Sequence, residues 1–175
     1  MALQEVILVD ELDNEIGREE KLKAHLDGVL HRAFSVFILN DKGELLLQQR
    51  ASGKYHSPGL WTNTCCSHPS PGEELQASAQ KRLQEEMGFT CPLIWLFKFK
   101  YKIAFDNNLT EHELDHVFVG RYNQDPTPNP EEVESWAWVN LDSLKTDLEE
   151  NPEKYTYWFR YVYDTFYNTY CLQEN

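Results

Sequence analysis

Residues 67–89 read S-H-P-S-P-G-E-E-L-Q-A-S-A-Q-K-R-L-Q-E-E-M-G-F. Leu75, Ala79, Leu83 and Met87 recur every four positions and mark one apolar stripe of a helix. Ser70 is placed to cap it, Pro71 to fill its first position and Glu73 to complete a capping box; Gly88 ends it. Lys81 with Glu85, and Arg82 with Glu86, stand four apart and are expected as surface ion pairs. Immediately upstream, residues 61–69 read W-T-N-T-C-C-S-H-P. In an extended chain, residues two apart share a side, so Cys66 and His68 are expected to face one cavity while Cys65 faces away.

Working outward, residues 6–9 read as a strand and residues 10–17 as a turn-rich hairpin. Residues 19–26 form a charged helical or looped segment containing Lys21 and His25. His31 precedes a strand over 33–39, and the turn at 40–43 leads to a return strand, Glu44–Arg50, whose Leu45, Leu46 and Leu47 suit burial on both faces. A loop over 51–58 carries Lys54 and His56. Beyond Gly88, residues 96–105 alternate aromatic or aliphatic residues with lysines, as in a half-exposed strand. Strands follow over 111–122 and 133–139, then helices over 141–150 and 153–170, separated by the Asn151-Pro152 break. No linker or repeat divides the chain. The pattern predicts one α/β or α+β domain.

Composition narrows the function classes. The chain has 175 residues, 16 Lys and Arg against 29 Asp and Glu, and a net charge of −13. Such an acidic surface argues against general nucleic-acid binding but leaves room for an anionic small molecule, because a metal ion and a few cations can reverse the field locally. Four cysteines without paired spacing fit a reduced, intracellular protein. No signal-peptide pattern and no membrane-length apolar run occur, so a soluble cytoplasmic protein is expected.

Six histidines are present. His25, His31 and His68 lie near predicted element ends. Glu111 and Glu113 share one face of their strand, either as a solvated edge or as metal ligands; His112 and His116 point the other way and read as packing or surface residues. Three imidazoles and two carboxylates would suit a borderline divalent ion such as Zn²⁺ or Mn²⁺. Glu86 and its neighbours are either a charged face or carboxylates holding Mg²⁺ against a diphosphate.

The spacing of Ser67, Glu73, Lys81-Arg82, Leu83, Glu85-Glu86, Gly88 and Phe89 is similar to the Nudix box, with Ser for its first Gly, Lys for its Arg and Arg for the Glu that follows. Those departures, with T-N-T-C-C-S-H-P, K-L-K-A-H, E-H-E and Y-T-Y-W-F, resemble the type I isopentenyl-diphosphate isomerases over nearly the whole chain. The resemblance implies a single-domain α/β/α sandwich with a mixed sheet, a Nudix-like core over 31–160, and residues 1–30 closing a metal site. It also implies interconversion of isopentenyl and dimethylallyl diphosphate through a tertiary carbocation. Cys66 and Glu113 would act on opposite sides of the substrate, Tyr101 would assist protonation and Trp158 would face the cation. His25, His31, His68, Glu111 and Glu113 would hold Mn²⁺, Mg²⁺ or Zn²⁺. Glu86 would hold Mg²⁺ with the diphosphate, and Lys21, Arg50, Lys54 and Arg82 would bind that diphosphate. A monomer or weak homodimer is expected, with neither nucleic acid nor membrane as partner. The alternative is a Nudix hydrolase of a diphosphate substrate, against which Arg82 counts, because a Glu there normally serves the cleaving metal site.

Overall fold

A computed structural model describes residues 3–174; residues 1, 2 and 175 of the predicted domain lie outside the described residues. The order is β1 (Glu5–Val9), β2 (Glu15–Glu20), α1 (Lys21–Asp27), β3 (His31–Leu39), β4 (Glu44–Arg50), β5 (Trp61–Thr62), β6 (Cys65–Ser67), α2 (Leu75–Met87), β7 (Leu93–Ala104), β8 (Thr110–Arg121), β9 (Val133–Asn140), α3 (Leu141–Glu150), a 3₁₀ turn (Pro152–Lys154) and α4 (Tyr157–Glu174).

β3 is the axis of the mixed sheet. One edge pairs in parallel with β8 along its whole length, from His31 opposite Glu113 to Leu39 opposite Arg121. The other edge is divided among β1 at His31, β6 over Phe34 to Val36, and β4 at Leu39. The expected hairpin of β3 with its return strand is therefore reduced to one pair, Leu39 with Leu45. β4 instead leaves to pair with β9 and β5.

Both faces of β3 are apolar because both are covered. Phe34, Val36 and Ile38 pack with Ala79, Leu83 and Met87 of α2. Phe37 and Leu39 pack on the other side with Leu144 of α3 and Trp158, Phe159, Val162 and Phe166 of α4. This is the α/β/α sandwich expected. Leu45, Leu46 and Leu47 are all buried, as a strand covered on two sides requires.

The helix boundaries differ from expectation at two places. α2 begins at Leu75, with Glu74 as the cap accepting from Gln76 N and Ala77 N at 3.0 and 2.8 Å. The segment Ser70-Pro71-Gly72-Glu73 is a turn, closed by Glu73 N donating to Ser70 O at 3.0 Å, with Gly72 at φ 84°. Pro followed by left-handed Gly favours a type II turn over a helical first turn. Lys81 reaches back to Glu73 at 3.2 Å, whereas it was expected to pair with Glu85. Arg82 does pair with Glu86, at 3.2 Å, but Glu86 is buried. At the other end of the chain, α4 starts at Tyr157 because Tyr155 and Thr156 remain extended against Trp61, Thr156 N donating to Trp61 O at 3.0 Å.

Candidate active site

The sheet assembles the site by register. Glu111, Glu113 and Asp115 alternate along β8 and occupy one face, with His31 beside Glu113 on β3. β6 lies antiparallel to β3, so Cys66 meets Ser35 while the adjacent Cys65 turns to the α2 side. α1 supplies Lys21 and His25, and its left-handed C-cap Gly28, φ 68°, turns the chain back into β3.

His25, His31, His68, Glu111 and Glu113 each place one ligand-type atom so that all five lie within 4.8 Å of one another. Two tautomers are fixed by backbone carbonyls. His25 Nδ1 lies 2.6 Å from Lys21 O, and His31 Nδ1 lies 2.9 Å from Val29 O. A nitrogen that near a carbonyl must carry the hydrogen, which leaves each neutral ring's Nε2 as a bare lone pair. Yet His25 Nε2 faces Glu111 Oε1 at 2.9 Å, and His31 Nε2 is buried without a hydrogen-bond partner, 3.5 Å from Glu113 Oε1. Acceptors facing acceptors in a buried pocket fit a cation at their centre. Without one, a proton serves: Glu111 raises the His25 pKa against the effect of burial. His68 is held well below its ordinary value, first by burial and then by His31. The donor set of three imidazoles and two carboxylates fits a divalent ion of the Zn²⁺ or Mn²⁺ type.

Cys66 Sγ receives Trp158 Nε1 at 3.2 Å and itself donates to Asn63 Oδ1 at 3.0 Å. Burial, and then Asp115 beside it, push the thiol up to about 12, so it carries its proton at neutral pH. Glu113 behaves oppositely. Burial works against its charge, but His31 and the Tyr101 hydroxyl hold it below the usual carboxylate range. Tyr101 Oη donates to Glu113 Oε2 at 2.7 Å and lies 3.3 Å from Glu111 Oε2. Asp115 is pushed well above the carboxylate range by burial and by Glu113, and accepts from Ser35 Oγ at 2.8 Å.

These groups open on a cleft of about 550 Å³ lined also by Lys21, Arg50, Lys54 and Arg82. Four cations converge there. Burial lowers the Lys21 pKa, and the positive charges of Lys54, Arg82 and Arg50 lower it further. The buried Nε atoms of Arg50 and Arg82 have no hydrogen-bond partner. The Arg50 guanidinium sits 5.3 Å from the Trp158 ring centroid. Such a wall suits an anion with several oxygens. Glu86 lines the same cleft outside the His/Glu cluster; burial raises its pKa, and Cys65 donates to it at 2.8 Å.

Every site residue that the resemblance implied therefore borders this cleft or the buried cluster behind it. Asp115 and His56 were missed. Asp115 continues the two-residue spacing of Glu111 and Glu113, and that signal was available. His56, with Nε2 3.0 Å from Glu111 Oε1, sits in a loop whose path no local pattern reveals. His112 and His116 face away, as expected, toward Gly28 O and Asp13.

Comparison with known proteins agrees with this fold. The NUDIX domain model matches residues 29–159. Solved structures with the same fold include DR0079 of Deinococcus radiodurans, with TM-score 0.70 at 19% identity, covering 85% of this chain and 90% of that one. A MutT protein of Methanosarcina mazei gives TM-score 0.66 at 20% identity, over 79% and 94% of the two chains. Among sequences, the chain is 54% identical to isopentenyl-diphosphate Delta-isomerase 1 of Aromatoleum aromaticum, over 91% of this chain and 90% of that protein. It is 52% identical to isopentenyl-diphosphate Delta-isomerase of Serratia proteamaculans, over 88% and 86%. Sharing half its residues with these enzymes across most of their length, the chain belongs to the isopentenyl-diphosphate isomerase family of the Nudix superfamily.

Proposed function

We propose that this protein interconverts isopentenyl diphosphate and dimethylallyl diphosphate by adding a proton to one carbon and removing one from another through a tertiary carbocation. The observation that carries the reading is a thiol, Cys66, and a carboxylate, Glu113, on one cleft lined also by four cations, Lys21, Arg50, Lys54 and Arg82. The reaction runs both ways, so each group donates in one direction and accepts in the other. Tyr101, hydrogen-bonded to Glu113, is placed to pass a proton to or from that carboxylate. Trp158 lines the cleft and holds the Cys66 sulfur through Nε1; a π face presented to the substrate would stabilise a desolvated cation by roughly 2 kcal/mol. Lys21, Arg50, Lys54 and Arg82 bind the diphosphate, and burial of the hydrocarbon end keeps water from the cation.

His25, His31, His68, Glu111 and Glu113 would hold Mn²⁺, Mg²⁺ or Zn²⁺, and Glu86 would hold Mg²⁺ with the diphosphate, supplying positive charge that fixes the carboxylates and neutralises the phosphates. Residues 31–160 form the Nudix-like core in this reading, and the segment before them closes the metal site, which the 2.9 Å contact of His25 with Glu111 supports. The protein acts in the cytoplasm as a monomer or weak homodimer, with the small diphosphate as its partner and neither nucleic acid nor membrane. Four free cysteines and the charge of −13 support that placement.

Hydrolysis is disfavoured by Arg82, which stands where the Nudix box has a Glu and is engaged by Glu85, Glu86 and Glu132. Turnover of isopentenyl diphosphate in deuterated water decides between the two. Deuterium in dimethylallyl diphosphate is the expected result; release of phosphate or of a monophosphate without exchange would overturn the reading.

A further inference from the structure

His56 has no role in the chemistry above, yet its position is closely defined. Its Nε2 lies 3.0 Å from Glu111 Oε1, the oxygen that His25 Nε2 also approaches at 2.9 Å. Its ring lies nearly parallel to Phe105, with centroids 5.6 Å apart and planes at 11°, and meets Trp158 edge-on at 5.8 Å. Its carbonyl accepts from Arg50 Nη2 at 3.2 Å. The loop is tied down again where Asn107 Nδ2 donates to Tyr55 O at 2.9 Å.

Two rings on one carboxylate oxygen have different futures when an ion binds. His25 Nδ1 is committed to the Lys21 carbonyl, so His25 meets an ion only through Nε2, and a ligating nitrogen has no hydrogen left to donate. His56 is outside the five clustered ligand atoms and stays free to donate. We propose that His56 is a positioning residue for the metal centre: its Nε2–H holds Glu111 Oε1 and sets the rotation of that carboxylate, while Phe105 and Trp158 set the ring. Partners of this kind, one shell out from the ion, orient the ligands and raise affinity. The same residue carries Arg50 on its carbonyl, so it joins the metal carboxylate to the diphosphate wall.

The inference rests on the proposed ion site, and the test separates the two. Metal-free protein is titrated with Mn²⁺, and the unbound ion is followed by electron paramagnetic resonance. The parent is expected to bind Mn²⁺ and Glu111→Gln to lose that binding. His56→Ala should weaken Mn²⁺ affinity about 10–100-fold. His56→Gln, whose amide can donate to the same oxygen, should recover most of the loss. Should His56→Ala not fold, His56→Leu keeps the packing against Phe105 and must show the same weakening. A merely structural His56 would lower the melting temperature of its variants and leave Mn²⁺ affinity at the parental value, which overturns the role. A parent that binds no Mn²⁺ overturns the ion site and the role of His56 with it.

Discussion

The two faces of β8 carry comparable polar cargo and use it in opposite ways. On one face His116 is fully partnered: Trp95 Nε1 donates to its Nδ1 at 3.0 Å, and its Nε2–H donates to Asp13 Oδ2 at 2.8 Å. Asp13 also accepts from Arg32 Nε at 2.8 Å. Each donor there meets one acceptor, and nothing further is needed. On the other face Glu111, Glu113 and Asp115 crowd against the rings of His25 and His31, whose Nε2 atoms are themselves acceptors, with His31 Nε2 and Asp115 Oδ1 buried and unpartnered. A network that closes on itself is structural; one with surplus acceptors is completed by a cation or a proton.

That contrast can be broken in order of effect. Cys66→Ala and Glu113→Gln should each lower turnover by ~10²–10⁴-fold, the usual worth of a positioned acid or base, measured by deuterium exchange into product. His116→Leu, on the other face, should leave turnover at the parental level; an equal loss there would erase the distinction between the faces. Next, Mn²⁺ at about a hundred times its dissociation constant should stabilise the fold by about 2.7 kcal/mol. For a chain of this size that raises the melting temperature by roughly 5–10 °C. Glu111→Gln should cancel the rise and His116→Leu should keep it. Trp158→Leu should cost roughly 2 kcal/mol of cation stabilisation, a fall in turnover of about 30-fold.

The smallest effect is on stability and pH. His116→Leu leaves Trp95 Nε1 without its acceptor and should cost about 1 kcal/mol, read from denaturant unfolding. Burial sets the His116 pKa below its ordinary 6.5 in the folded protein. Below pH 6.5 the unfolded chain therefore takes up a proton that the folded chain refuses, and the contribution of His116 is lost as pH falls from there toward its folded value. The gap between parent and His116→Leu should narrow between pH 7 and 5. A gap that widens on acidification would mean His116 is charged in the fold, contrary to the hydrogen it accepts from Trp95.

Much of this was legible in local pattern. The alternation of β7, the apolar run of β4 and the stripe of α2 report which faces are buried, because burial repeats with the period of the backbone. The same period put Glu111 with Glu113, and Cys66 with His68, on common sides. Asp115 is the next residue in that spacing. Local pattern is least informative at junctions between elements. Ser70 to Glu73 carries helix-start chemistry but also a Pro-Gly pair, and the turn prevailed. The reduced pairing of β3 with β4 follows from β3 already being paired with β8 and β6, which the turn at 40–43 could not report.

The sequence by itself determined the family, the order of elements and the residue types of the site, since these reside in spacing along one chain. Only the tertiary structure decided which charges survive and which histidines matter. The tautomers of His25 and His31 are set by carbonyls of Lys21 and Val29. The protonated state of Cys66 is set by burial, and the place of His56 by a loop folded over a strand more than fifty residues away. Desolvation and hydrogen-bond pairing depend on everything within a few ångströms, and most of those neighbours are remote in sequence.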